Sequence, residues 1–369
     1  MIDALREELD RRWSELRPGC PRLRGATLLG ANKSENLKAV ILLFGQDGRL
    51  GAVCKVARGP EGEAALRAEY AVLSDLQGIG PPSFLECAPE PLLLEEIGRR
   101  LVLVTTPVRG EPMVTRYHTP GHTSDARRVG TDFARAAAWL SRFQRETRSE
   151  VVALSEAVDR WYEPVLERYR REIGWGAEEE SLFSEVFARV RDLRDVAVPV
   201  TAVHGDLWVG NLLDDHGAIT GVLDWECGSR AGLPFRDVYK FPTSYGTYLN
   251  RAYAGRRGVP GHPGWAAAEV SWSRPGDWRN ALGFGYTYFG SGWFPELVRR
   301  HVTGLLADLG MSPEVNAVFF PLFLAEQATA LDVDEFRQGY ASLLRSFAER
   351  ADATWLWAAT PGPRVSRTT

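Results

Sequence analysis

Residues 203–211 read VHGDLWVGN and, after a short gap, residues 219–226 read ITGVLDWE. These stretches contain the oxygen-bearing side chains Asp206, Asn211 and Asp224, and Asp224 ends an apolar run that predicts a β-strand. Phosphoryl transfer requires a carboxylate beside the attacking hydroxyl and oxygen ligands for Mg²⁺, because its catalysis is mainly positioning and charge neutralisation. The pattern therefore indicates phosphoryl-transfer chemistry.

The spacing within the first stretch is more specific than its composition. Asn211 follows Asp206 by five positions, which is the offset between the Asp and the Asn of the protein-kinase loop H-R-D-x-x-x-x-N. Together with the strand and the Asp-Trp-Glu that follow, this pattern resembles the aminoglycoside phosphotransferase and choline kinase superfamily. Residues 232–237, GLPFRD, strengthen the resemblance, because a Gly-x-Pro-x-x-Asp element commonly follows in that family. The resemblance extends in outline over residues 25–357, and residues 203–237 match densely.

The resemblance implies an α+β, bilobal protein-kinase-like fold, with a small β-rich amino-terminal lobe that has one key helix and a larger, mainly helical carboxy-terminal lobe. In this family Asp206 would be the catalytic base, and Asn211 and Asp224 would bind Mg²⁺. His204 matches the loop histidine of the family, whose expected role is to hold the loop by hydrogen bonds. ATP is the implied phosphoryl donor, with GTP as the alternative.

Apolar periodicity predicts the elements of the amino-terminal lobe. Val40–Phe44 and Leu50–Val56 flank a Gly-rich turn and predict a β-hairpin, and residues 92–104 predict a second hairpin. Between the two hairpins, Glu61–Gln77 has the period of a helix. The lobe is therefore predicted to be hairpin, helix, hairpin.

Lys55 is a lone charge in an apolar strand, where a cation is costly without a partner. The sequence Ala-Val-Cys-Lys that it closes resembles the Val-Ala-Ile-Lys strand of kinases. Glu69 lies on the apolar stripe of the predicted helix, between Leu66 and Leu73, so a Lys55–Glu69 ion pair would account for both charges. Glu63 is the competing partner, and a surface lysine with a boundary glutamate is the alternative. We expect the pair to serve nucleotide binding.

The loop after the first predicted strand departs from the kinase pattern, since the sequence has no Gly-x-Gly-x-x-Gly. Leu29–Asn36 is instead similar to the Ser/Asn-containing nucleotide loops of small-molecule phosphotransferases. Its backbone N–H groups, with Ser34 and Asn36, are expected to bind phosphate oxygens, although a plain hairpin turn fits the same residues. The connector Thr105–Gly110 would meet the nucleotide base through its backbone, so its side chains do not distinguish ATP from GTP.

The expected domains are a nucleotide-binding lobe over residues 1–108, a catalytic and acceptor-binding lobe over 109–357, and a flexible tail over 358–369. Residues 242–295 are rich in Gly, Pro, Trp and Tyr and have little periodicity. They are predicted to be irregular and to form much of the acceptor pocket. The aromatic residues within 286–294 could line that pocket or fill core, and the sequence favours neither.

Composition excludes several classes of function. The 369 residues have a net charge of −4 and no dense Lys/Arg run, so nucleic acid is not an expected partner. No run of about 18 apolar residues is present, so no membrane-spanning segment is predicted. The charged amino terminus does not resemble a signal peptide, and a cytoplasmic protein is expected. The four scattered cysteines are expected to be free thiols.

The resemblance also implies a small hydroxylated acceptor. A sugar-containing natural product such as an aminoglycoside or a nucleoside antibiotic is favoured. Antibiotic resistance, biosynthesis and primary metabolism are all open as the biological role. Choline, homoserine and fructosamine-type acceptors are alternatives within the superfamily, and no sequence feature indicates an oligomeric state. A catalytically inactive, nucleotide-binding interaction protein is the alternative from another class, but the retained Asp206, Asn211, Asp224 and Lys55 argue against it. A protein kinase is disfavoured, because no Ala-Pro-Glu element follows Asp224.

Overall fold

The computed structural model describes residues 2–31, 38–79, 83–252, 259–272, 278–330 and 333–357. The chain divides into two compact units, one of Met1–Met113 with His204–Arg230 and the other of Val114–Val203 with Ala231–Thr369. This division differs from the one expected at residues 108 and 109, because His204–Arg230 lies with the amino-terminal unit. The expected tail lies outside the described residues.

A five-stranded sheet forms the larger part of the first unit. Its strands are β1 (Leu23–Ala31), β2 (Lys38–Gly45), β3 (Leu50–Ala57), β4 (Pro91–Ile97) and β5 (Arg100–Thr105). They are antiparallel and lie in the order β1-β2-β3-β5-β4. Two helices accompany the sheet, α1 (Ile2–Leu16) and α2 (Pro60–Gln77). Both predicted hairpins and the helix between them are confirmed.

The two faces of β3 pack against different helices, because successive side chains of a strand point to opposite sides. Cys54 belongs to the buried apolar cluster that includes Trp13 of α1. Ala57 lies two residues after Lys55 and therefore on the same face, and it packs in a second cluster with Leu66 of α2. This alternation directs the Lys55 side chain toward α2.

A second antiparallel sheet in the first unit consists of three short strands. These are β6 (Glu111–Pro112), β9 (Leu212–Asp215) and β10 (Ala218–Val222), in the order β10-β9-β6. His216 and Gly217 join β9 to β10 with positive φ angles of 46° and 94°, as a tight two-residue hairpin turn requires. Asn211 precedes this hairpin and Asp224 follows it closely, so the two predicted metal ligands lie at its open end.

The second unit is mainly helical. Its strands β7 (Glu150–Ala153) and β8 (Ala197–Val203) pair antiparallel, and β11 (Ser229–Gly232) begins in the first unit and ends in the second. The remaining helices are α3 (Met113–Tyr117), α4 (Ala126–Glu146), α5 (Leu154–Trp161), α6 (Glu163–Glu172), α7 (Ala177–Asp192), α8 (Phe235–Ala252), α9 (Trp265–Trp272), α10 (Ala281–Phe289), α11 (Trp293–Asp308), α12 (Asn316–Ala330) and α13 (Asp334–Ala348). None of the described helices has the length and apolar character needed to cross a membrane.

The prediction of an irregular segment over residues 242–295 is wrong, because α8 extends into it and α9 and α10 lie within it. Every residue of α10 from Ala281 to Tyr288 is buried. A helix buried on all sides is apolar on all sides and lacks the amphipathic period by which helices are predicted. Tyr288 is 1% exposed, and its hydroxyl forms a 2.7 Å hydrogen bond with Thr243 Oγ1. This aromatic residue therefore fills the core of the second unit.

Candidate active site

His204 and Gly205 fix the loop that follows β8. The Asp206 N–H donates to His204 Nδ1 at 3.2 Å, so Nε2 carries the ring proton and donates to the Leu223 carbonyl at 2.8 Å. Gly205 has a φ of 82°, and a Cβ at this position would overlap the Cys227 carbonyl oxygen. Only glycine satisfies both conditions. His204 thus has the loop-holding contacts that the resemblance implies.

Asp206 and Asn211 contact each other directly. Asn211 Nδ2 donates to the Asp206 carbonyl oxygen at 2.9 Å and to Asp206 Oδ2 at 3.2 Å. The carbonyl oxygen of Asn211 accepts the Leu223 N–H at 2.9 Å, and Leu223 immediately precedes Asp224. A continuous set of hydrogen bonds and peptide bonds therefore connects the three residues predicted for catalysis and metal binding.

Asp224 has a left-handed backbone, with φ of 62° and ψ of 67°. This conformation is uncommon for a residue with a Cβ and costs on the order of 1 kcal/mol, so it persists where the surroundings enforce it. Here Asp224 Oδ1 accepts hydrogen bonds from Lys55 Nζ at 2.7 Å and from Lys38 Nζ at 3.0 Å. Burial would raise the pKa of the Asp224 carboxyl, but Lys55 and Lys38 hold that pKa well below its usual value. Asp224 is therefore a carboxylate at neutral pH.

The predicted ion pair between β3 and α2 is formed. Lys55 Nζ lies 2.5 Å and 2.7 Å from the two carboxylate oxygens of Glu69, which is 1% exposed. Glu63, the competing partner, is exposed on the first turn of α2. Burial alone would lower the pKa of Lys55, but Asp224 and Glu69 raise it above its usual value, so Lys55 is a cation. Its role toward a nucleotide stays a prediction.

Two members of this charged cluster, Lys38 and Glu226, were not predicted from the sequence. Lys38 is 5% exposed at the start of β2 and donates hydrogen bonds to Asp224 and Glu226. The register between β2 and β3 is the feature that could have identified Lys38 as a neighbour of Lys55. Val40 pairs with Lys55, and Lys38 lies two residues before Val40, so the two lysines share one face of the sheet. Glu226 is the last residue of the Asp-Trp-Glu motif, two positions after Asp224.

The donor atoms around Asp224 suit a hard divalent cation. Glu69, Asp224 and Glu226 bring carboxylate oxygens within 4.8 Å of one another, a grouping that could hold a metal ion. Carboxylate and amide oxygens are the ligands that Mg²⁺ prefers in proteins. Burial raises the pKa of Glu226, and the neighbouring Lys38 opposes that rise. The carboxylates present therefore fit Mg²⁺, and the role of Asn211 as a further ligand stays a prediction.

Two predicted phosphate-binding residues cannot be placed in this arrangement. Ser34 and Asn36 lie outside the described residues, although β1 and β2 flank them as expected. The connector predicted to meet the nucleotide base begins where β5 ends, at Thr105. Its next residue, Thr106, donates its N–H to the Glu90 carbonyl at 2.9 Å. The nucleotide-binding roles of these segments stay predictions.

Residues 40–270 match the phosphotransferase enzyme family. The match covers more than half of the chain, and the chain belongs to this family. It is therefore an enzyme, a phosphotransferase of the kinase type, and the predicted membership of the aminoglycoside phosphotransferase and choline kinase superfamily is confirmed. No curated protein sequence matches the chain.

Solved aminoglycoside phosphotransferases share the fold. A thermostable mutant of aminoglycoside phosphotransferase APH(4)-Ia, in ternary complex with AMP-PNP and hygromycin B, is 13% identical, with a TM-score of 0.52 over 96% of this chain and 99% of that chain. A second structure of APH(4)-Ia is 13% identical, with a TM-score of 0.52 over 93% of this chain and 98% of that chain. Identity this low shows the fold alone. The predicted α+β, protein-kinase-like fold class is thereby confirmed.

Proposed function

We propose that the protein transfers the γ-phosphoryl group of ATP, in the presence of Mg²⁺, to a hydroxyl group of a small sugar-containing acceptor. The observation that carries this proposal is the connected set of Asp206, Asn211 and Asp224, whose last member is bonded to Lys55 of the Lys55–Glu69 pair. The set has one group for each task of phosphoryl transfer: holding the attacking hydroxyl, holding the cation and holding the phosphates.

The residues divide these tasks among themselves. Asp206 orients the attacking hydroxyl and accepts its proton at a carboxylate oxygen, while the Asn211 amide holds that carboxylate in place. Asn211 and Asp224 would hold Mg²⁺, which when bound neutralises the charge of the phosphate oxygens. Lys55 contacts the phosphates, and Glu69 positions its ammonium group through two hydrogen bonds.

The choice of donor and acceptor is supported by fold likeness. APH(4)-Ia has been solved with the ATP analogue AMP-PNP and with hygromycin B. ATP is therefore the donor to test first, with GTP as its competitor. An aminoglycoside or a related sugar-containing antibiotic is the acceptor class to test first, and resistance to that antibiotic is the biological role that would follow.

A panel of acceptors tests the proposal. The purified protein is incubated with Mg²⁺ and either ATP or GTP, and with hygromycin B, other aminoglycosides, nucleoside antibiotics, choline, homoserine or a fructosamine. Mass spectrometry then detects products that have gained one phosphate group. We expect at least one sugar-containing antibiotic to be phosphorylated and EDTA to abolish the product. Phosphorylation of choline or homoserine alone would contradict the acceptor class, and ATP binding without transfer to any compound would contradict catalysis.

A further inference from the structure

Lys38 is a buried cation that the proposed mechanism does not use. The Lys55–Glu69 pair already supplies the lysine that kinases place against the phosphates. Lys38 is nevertheless 5% exposed, and its ammonium group contacts Asp224 and Glu226. A buried ammonium group is costly unless its partners compensate for the lost water. The position of Lys38 therefore calls for an explanation in terms of those two carboxylates.

The charges around Asp224 indicate a role for Lys38 as a counter-ion. Lys55 bridges Glu69 and Asp224, and Lys38 bridges Asp224 and Glu226. Without Lys38, the carboxylates of Asp224 and Glu226 would face each other with the Lys55 charge already shared with Glu69. Their oxygens lie within 4.8 Å of each other, a separation at which two like charges repel. Lys38 therefore occupies the place that a cation would otherwise have to fill.

We propose that Lys38 is a positioning residue that acts as a built-in counter-ion, competing with a divalent cation for the carboxylates of Asp224 and Glu226. Its ammonium group bridges the two carboxylates when no cation is bound, and a bound cation displaces it. Lys38 thereby weakens metal binding before the nucleotide arrives and keeps the carboxylates in position for it. The inference rests on the proposed function in taking Mg²⁺ as the natural cation.

A purely structural lysine and a competing lysine predict different responses to metal. If Lys38 only stabilised the fold, its loss would lower the stability of the protein and would not strengthen binding of a cation. If Lys38 competes, its removal lowers the stability of the metal-free protein and tightens metal binding. Stability alone does not separate the two roles, but metal affinity without nucleotide does.

The experiment titrates the full-length protein with Mn²⁺ alone, in the absence of nucleotide. Mn²⁺ prefers the same oxygen ligands as Mg²⁺, and free Mn²⁺ is counted directly by electron paramagnetic resonance. We expect Lys38→Met to lower the Kd for Mn²⁺ about tenfold or more, because the competing charge is gone while both carboxylates remain. Lys38→Arg keeps the charge and should bind Mn²⁺ as the parent protein does. An unchanged or weaker Mn²⁺ affinity in Lys38→Met would overturn the proposal.

A second variant keeps the test decisive if Lys38→Met fails to fold. Lys38→Gln removes the charge but keeps a polar group beside the two carboxylates, so its Kd for Mn²⁺ should fall about threefold or more. An unchanged or higher Kd in this variant also overturns the proposal. Arg12→Met, which breaks the Arg12–Glu95 ion pair between α1 and β4, matches the charge change of Lys38→Met and should leave the Mn²⁺ affinity unchanged. A tighter affinity in this control would attribute the effect to net charge and overturn the proposal.

The outcomes separate this inference from the proposed function. Phosphoryl transfer to a sugar-containing acceptor, together with an unchanged Mn²⁺ affinity in Lys38→Met, would overturn the inference alone. Absence of transfer to every acceptor, together with the expected change in Mn²⁺ affinity, would overturn the proposed function and support the counter-ion role.

Discussion

Asp206 is the residue where a minimal change should separate catalysis from binding. Asp206→Asn keeps the size of the side chain and an oxygen that can accept the Asn211 hydrogen bond. It removes the charge that accepts the proton of the acceptor hydroxyl, so kcat should fall by about 10² or more. Binding of ATP and Mg²⁺ should survive. Steady-state kinetics and calorimetric titration of the same preparations check both expectations.

The matched control for this prediction is Asp215→Asn, at an exposed aspartate that ends β9. It makes the same chemical change outside the site and should leave kcat unchanged. Near-normal turnover in Asp206→Asn would refute the assignment of the catalytic base. It would also remove the basis for assigning family roles to the rest of the loop.

Individual residues of the candidate site could be predicted where the chemistry restricts the residue type and where spacing along the sequence is sufficient to identify the residue. Asp206, Asn211 and Asp224 satisfy that condition. Lys38 does not, because its place beside Asp224 depends on the register between β2 and β3. That register is irregular next to Leu43, and a slip by one residue would turn Lys38 to the other face of the sheet.

Between elements, the ion pair that connects β3 to α2 should contribute separately to stability and to nucleotide binding. Lys55→Met leaves the buried Glu69 carboxylate without its main partner, so the free energy of unfolding should fall by about 3–5 kcal/mol. Adding Glu69→Leu removes the stranded charge and should restore most of that loss, because both side chains adjoin an apolar cluster. Neither variant should bind ATP normally. Chemical denaturation and calorimetry measure the two effects independently.

Glu63→Gln is the control for this pair, because Glu63 is exposed on the same helix. It should change neither the free energy of unfolding nor the affinity for ATP. If the double variant Lys55→Met with Glu69→Leu bound ATP as the parent protein does, the ion pair would be a structural feature only.

Exposure to solvent decided which helices and strands could be predicted from the sequence. The hairpins of β2–β3 and β4–β5 could be predicted because Gly-rich turns bound short apolar runs, and α2 because one of its faces is polar. In contrast, α10 is buried along almost its entire length, so its sequence carries no amphipathic period. Tertiary burial, which is not a local property, decided its structure.

For the molecule as a whole, stability should depend on pH through two buried histidines of the second unit. Burial lowers the pKa of His262 to about 4 and the pKa of His301 to about 3. As the pH falls below about 6.5, the unfolded chain binds protons at these residues that the folded chain does not bind. The free energy of unfolding should therefore fall with a slope that approaches about 1.4 kcal/mol per pH unit for each histidine below about pH 6.5, which urea denaturation between pH 7 and 5 measures.

His301→Phe tests the source of this slope. The His301 ring packs edge-on against Phe133 at a centroid distance of 5.1 Å, so a phenylalanine suits the same aromatic surroundings. The pH slope should then decrease by about half, because one of the two buried histidines is gone. His216→Gln, at a side chain that is 95% exposed, should leave the slope as it is. An undiminished slope in His301→Phe would show that other groups cause the pH dependence.

The first unit is discontinuous in sequence, and this has a consequence for the order in which the protein is made. Lys38 and Lys55 are synthesised early, and both contact Asp224. However, Asp224 leaves the ribosome only after the whole of Val114–Val203. The pairing of Glu111 in β6 with Asp214 in β9 must wait in the same way. Until then the nascent amino-terminal segment contains Lys38 without either of the carboxylates that compensate for its burial, whereas Lys55 already has Glu69. Completion of the first unit therefore coincides with synthesis of the Asp206–Asp224 segment, so a chain arrested before that segment lacks both the residues proposed for catalysis and a finished fold.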